Sequence, residues 1–130
     1  MASLRPVILI ADGMPNTIPE MDRVLGALGY ETSLARNVTS ALSIADELEP
    51  AAAVLGLHLP GGGPLTALRQ MRASAHGAST AIIVLAHPGP GKEALLADGV
   101  DLCLDPPVRE DDILAALEEL LESETNSPTA

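Results

Sequence analysis

A chain of 130 residues suits one domain with one core, and its single cysteine, Cys103, has no internal disulfide partner. The core has to be aliphatic, because Tyr30 is the only aromatic residue, and that scarcity excludes stacking of bases on aromatic platforms. The formal net charge of −11 repels phosphate backbones and anionic lipid. With no signal-peptide pattern and no membrane-length apolar run, the chain is expected to be cytoplasmic, with no direct nucleic-acid or membrane contact.

Taken in order, Pro6-Val-Ile-Leu-Ile-Ala-Asp12 predicts a strand over 6–11 with Asp12 at its C-terminal end. Thr17-Ile-Pro-Glu20 has capping-box spacing, with Pro19 in the first turn, where its missing N–H is not needed. That helix should run to Leu28 and stop at Gly29, and Tyr30–Ala35 follows as a short second strand. Asn37 is suited to cap a helix whose apolar positions Val38, Ala41, Leu42, Ala45 and Leu48 recur at helical spacing, with Pro50 at its exit.

The apolar run that starts at Ala51 meets Gly56 and then a Pro60-Gly-Gly-Gly-Pro64 loop. It reads as a strand buried on both faces, at the centre of a parallel sheet. The loop at its C-terminal end is where an open α/β sheet places its chemistry, and Gly56 stands there without a side chain. Leu65–Arg72 predicts a third helix and Ala81–Ala86 a fourth strand. His87-Pro-Gly-Pro-Gly91 argues against regular structure before a short helix over 92–98. Asp101–Asp105 predicts a fifth strand, stopped by Pro106-Pro107, and Asp111–Glu122 an acidic helix with Ile113, Leu114, Leu117 and Leu121 as its stripe. Residues 1–5 are then an extension, 6–122 the domain, and 123–130 a disordered tail or the start of a linker.

Five strands alternating with five helices define a three-layer α/β/α domain on a parallel sheet, with the flavodoxin-like order 2-1-3-4-5 as the usual solution. Val7–Pro15, Gly29-Tyr-Glu31 with Ala35 and Ala41-Leu42, Leu59-Pro-Gly61, Thr80–Leu85, and Gly99-Val-Asp101 with Pro107 together resemble the response-regulator receiver domains of the CheY-like superfamily. The resemblance implies this fold and a place in two-component signal transduction.

It also implies a degenerate site. The family's two adjacent acids after the first strand, which help to hold Mg²⁺, fall on Asp12 and Gly13; the phosphoacceptor aspartate falls on Gly56, the hydroxyl residue on Ala86 and the lysine on Pro106. One carboxylate is a poor set for a cation that wants several oxygen ligands, so the Mg²⁺ site is expected to be lost. No carboxylate at Gly56 means no nucleophile for an acyl phosphate. Nothing at Pro106 balances a phosphoryl charge of about −1.5 to −2. The switch positions fall on Ala86 and Cys103, so the usual hydroxyl-to-aromatic coupling is missing at both ends. This is the pattern of a pseudo-receiver: not an enzyme, without a cofactor, and acting as an interaction or regulatory module independent of phosphorylation.

The interval from Ala86 to Gly99 is shorter than the family's common pattern, so the fourth helix should be shortened or displaced. Eleven Asp/Glu residues against Arg109 alone lie between Glu93 and Glu124. A candidate interaction face is therefore Asp101, Asp105, Arg109, Glu110, Asp111, Asp112, Glu118 and Glu119, facing a signalling protein with a basic surface or a second copy of the chain; a merely solvated acidic face explains the same residues. The Gly61-Gly-Gly63 run lacks the lysine of a phosphate-binding loop and reads as a turn. The alternative function is a small-ligand or metal sensor that uses the emptied pocket, with Asp12, His58 and His87 as a conceivable zinc set.

Overall fold

The computed structural model describes residues 7–13, 17–56, 58–74, 80–85, 90–105 and 110–125. In chain order the elements are β1 (Val7–Ala11), α1 (Thr17–Ala27), β2 (Glu31–Ala35), α2 (Val38–Leu48), β3 (Ala52–Leu55), α3 (Gly63–Ala73), β4 (Ala81–Leu85), α4 (Pro90–Ala97), β5 (Leu102–Leu104) and α5 (Glu110–Thr125). The strands form one sheet of order β2-β1-β3-β4-β5 with every neighbour parallel, as the sequence predicts.

Alternation along each strand sends residues to two apolar layers. Leu9, Ala11, Ala53, Leu55, Ile82 and Val84 point toward Val38, Ala41 and Ala45 of α2, Leu68 and Met71 of α3 and Leu95 of α4. Ile8, Ile10, Val54, Ile83 and Leu85 point toward Met21 and Leu25 of α1 and Ile113 and Leu117 of α5. β3 and β4 are buried at every residue, which is why they read as continuous apolar runs. Burying each large aliphatic side chain contributes about 1.5–3 kcal/mol before entropy is counted, so this aliphatic core holds the layers together without aromatic rings.

The helix ends follow local rules. Asn37 caps α2, its Oδ1 accepting from the Ser40 N–H at 2.8 Å. After α1, Gly29 takes φ +94°, the Tyr30 N–H donates to Leu25 O at 3.1 Å and the Gly29 N–H to Gly26 O at 3.0 Å; this doubly bonded turn needs a left-handed residue. α2 ends instead on Glu49 at φ 48°.

Several boundaries differ from expectation. α3 begins at Gly63 rather than Leu65, and α4 at Pro90 rather than Lys92. In each case a proline, Pro64 or Pro90, occupies the opening turn, where it needs no N–H partner, so the His87–Gly91 segment is not irregular to its end. With eight residues α4 is the shortest of the five helices. β5 spans 102–104 only, leaving Asp101 and Asp105 just outside. α5 continues through Ser123, Glu124 and Thr125, residues placed in the tail on the ground that they lack core-forming side chains; helix propagation adds a hydrogen bond per residue and needs no core contact there.

Candidate functional site

The C-terminal ends of β1 and β3 lie side by side. Ala11 pairs with Leu55, and the ladder runs one step further, the Gly56 N–H donating to Ala11 O at 2.8 Å; on the other side the Asp12 N–H donates to Ala35 O at 3.1 Å. Asp12 and Gly56 are therefore adjacent. Asp12 is only 2% exposed, and its side chain lies where a side chain on Gly56 would begin. A Cβ built at Gly56 overlaps Cγ and Oδ2 of Asp12 and stands 2.7 Å from its Cβ.

The β3–α3 loop closes over this pair. The His58 N–H donates to Asp12 Oδ1 at 3.2 Å, the Gly13 N–H to His58 O at 2.9 Å, and the Val38 N–H to Pro60 O at 2.8 Å. Leu59, 3% exposed, anchors the loop in the layer shared with α2 and α3. A Cβ at Gly13 would overlap the His58 carbonyl oxygen and stand 2.7 Å from Pro60 Cδ. The loop then turns on Gly61 and Gly62 into Gly63, the first residue of α3, all three at positive φ: a turn, as its composition suggests, leading into the helix.

Of the residues singled out by sequence, the structure brings Asp12, Gly13, Gly56 and the backbone of His58 together. Ala86, His87, Pro106 and Arg109 lie outside the described residues. The His58 side chain is exposed while Asp12 is buried, and among the described residues no group of three or more His, Cys, Asp or Glu is placed to hold a metal ion. The carboxylate of Asp12, turned under Gly56 with an oxygen on the His58 N–H, does not meet by itself the demand of a Mg²⁺ ion for several oxygen ligands. Cys103 is half-buried in β5, opposite Val84 and against the α2–α3–α4 layer.

Asp101 is exposed but already paired. It precedes β5, at the opposite end of the sheet from Asp12, and its Oδ2 accepts from Arg72 Nη2 at 2.7 Å and from the Ile82 N–H at 2.7 Å. Asp98, also counted in the acidic stretch, pairs with Arg69 at 2.9 Å. Asp105 is exposed beyond β5, Glu110 opens α5, and Asp111, Asp112, Glu118 and Glu119 are exposed along it. No helix among the described residues is long and apolar enough to cross a membrane. The loop backbone at His58 and Pro60 went unrecognised in the sequence; the only trace of it is that two neighbouring strand ends both carry glycine.

No protein-family profile matches this chain, and no curated protein matches it in sequence. Solved structures match it closely in shape. The receiver domain of a sensor histidine kinase from Pseudomonas aeruginosa, crystallised with a magnesium ion coordinated in its active-site cleft, superposes with a TM-score of 0.85 at 23% identity, over 92% of this chain and 99% of that one. The signal receiver domain of an HD domain-containing protein from Pseudomonas fluorescens gives 0.82 at 25% identity, over 97% and 93%, and a putative response regulator from Chloroflexus aurantiacus gives 0.84 at 22%, over 91% and 98%. The chain has the flavodoxin-like fold of response-regulator receiver domains.

Proposed function

We propose that this chain is a receiver domain of two-component signalling that works without accepting a phosphoryl group, as a protein-interaction or regulatory module. One observation supports the reading above the others: the space where the family's acceptor side chain would start is taken by the buried carboxylate of Asp12. With glycine at 56 there is no nucleophile, and with glycine at 13 a single carboxylate remains of the acids that would gather Mg²⁺, so the metal site is lost as well. The sensor alternative needs open volume at the same place, and the inward turn of Asp12 works against it. Output then depends on a partner that prefers one arrangement of the domain. The exposed acids of α5, Asp111, Asp112, Glu118 and Glu119, suit a signalling protein with a basic surface, where complementary charge speeds encounter.

The test is an amide NMR titration with Mg²⁺ and then beryllofluoride. The expected result is no saturable shift at Asp12, Gly13, Gly56 or His58. Saturable shifts at those amides would defeat the phosphate-independent reading.

A further inference from the structure

We propose that Asp12 is the domain's built-in ligand: its carboxylate holds the β3–α3 loop closed over β1 from the space left by Gly56, fixing this end of the sheet with no external group. The inference rests on the phosphate-independent reading and specifies how that same site is set.

Glycine is usually chosen for backbone freedom or for space. Gly29, Gly61, Gly62, Gly63 and Gly99 sit at positive φ, but Gly13 and Gly56 do not. Their value is therefore the missing Cβ, and each absence is filled by something specific. Gly56 admits the Asp12 carboxylate; Gly13 admits the His58 carbonyl and the Pro60 ring. The two fillings are joined, because residue 58 donates its N–H to Asp12 and accepts the Gly13 N–H on its carbonyl. That closes a ring of hydrogen bonds around one loop residue.

Burial supports the assignment. A carboxylate at 2% exposure is tolerated where hydrogen bonds replace its water, and no buried side-chain nitrogen or oxygen among the described residues lacks a partner. The closure also reaches further than the site. Pro60 O takes the first N–H of α2, and Leu59 is packed below, so the position of the loop and the start of α2 are set together. A side chain at 56 and the present pose of Asp12 are then mutually exclusive, and the two positions must be strongly coupled.

The experiment is a double-mutant cycle on the full chain: Gly56→Asp, Asp12→Ala, and the two combined, followed by urea unfolding and amide exchange. Gly56→Asp should lower the folding equilibrium constant by about tenfold or more alone and by clearly less in the Asp12→Ala background, where the overlap with the carboxylate is gone and only the approach to the Cβ of residue 12 at 2.7 Å remains, a non-additivity expected only of groups in contact. If Gly56→Asp alone does not fold, the same cycle with Gly56→Ala decides. Asp12→Ala should speed exchange at His58 and Gly13 by about tenfold through local opening, while Asp12→Asn, which keeps the acceptor oxygen, should restore most of the protection. Equal costs of the position-56 substitution in both backgrounds, or unchanged exchange in Asp12→Ala, would overturn the proposal. Since the cycle uses neither metal nor beryllofluoride, its failure beside a silent titration would remove this inference and leave the functional reading standing.

Discussion

Arg72 ties several elements of the fold together, and its replacement by alanine is a quantitative test of that role. It leaves the last turn of α3 and reaches the opposite end of the sheet from Asp12. Nε and Nη2 donate to Gly99 O at 3.1 and 2.9 Å, Nη1 to Thr80 O at 2.7 Å, and Nη2 to Asp101 Oδ2 at 2.7 Å. Thus α3, the entrance of β4, the end of α4 and the entrance of β5 meet on one guanidinium, whose side chain is 20% exposed. Each carbonyl served by the charged donor is worth about 1 kcal/mol net of water. The Asp101 pair, 37% exposed on the acid side, is screened and adds about 0.5 kcal/mol. Arg72→Ala should therefore cost about 2–3 kcal/mol, or about 8 °C in melting temperature for a domain of this size. Arg72→Lys should recover less than half of the loss, because an ammonium cannot serve the forked set of acceptors. Urea unfolding followed by far-ultraviolet circular dichroism is the assay, since Tyr30 is the only aromatic residue. The control is Arg69→Ala: its pair with Asp98 involves a side chain 62% exposed, and its loss should stay within about 0.5 kcal/mol. If the two alanine variants unfold at the same urea concentration, the clamp argument is wrong.

Two further outcomes follow from the ends of α2. Asn37→Ala removes the cap that accepts the Ser40 N–H and should destabilise the domain by about 1 kcal/mol in the same unfolding assay; no loss would mean that water replaces the cap fully. Glu49→Gly should do the opposite. A left-handed conformation at φ 48° strains a residue with a Cβ, and relieving it, less the extra entropy of glycine in the unfolded chain, should stabilise by about 0.5 kcal/mol. A lower midpoint for Glu49→Gly would show that contacts of the glutamate outweigh the strain.

The layers and the strand order were legible because they depend on local signals that repeat: buried runs at Ala52–Leu55 and Ala81–Leu85, a helical stripe after Asn37, and Gly29 where α1 had to stop. Proline misled at α4, since Pro90 breaks a helix in its interior but opens one comfortably in its first turn. The pairing of Asp101 was hidden for a different reason. Its acid neighbours suggested a solvated face, whereas its partner Arg72 lies 29 residues away in sequence, and no spacing rule joins the two. The site was half legible. The glycines at 13 and 56 could be counted in the sequence, but that the one remaining carboxylate turns sideways into the gap is a matter of side-chain direction settled by the loop at 58–60.

The interlocking of Asp12 with Gly56 and of Gly13 with the loop bears on which substitutions the domain can accept. A single substitution that placed a carboxylate at position 56 would meet the side chain already lodged there, and a side chain at position 13 would meet backbone. Either substitution alone should lower stability. Positions 12, 13, 56 and the loop at 58–60 therefore form one packing unit, in which a change at one residue is accommodated only with a change at its neighbour.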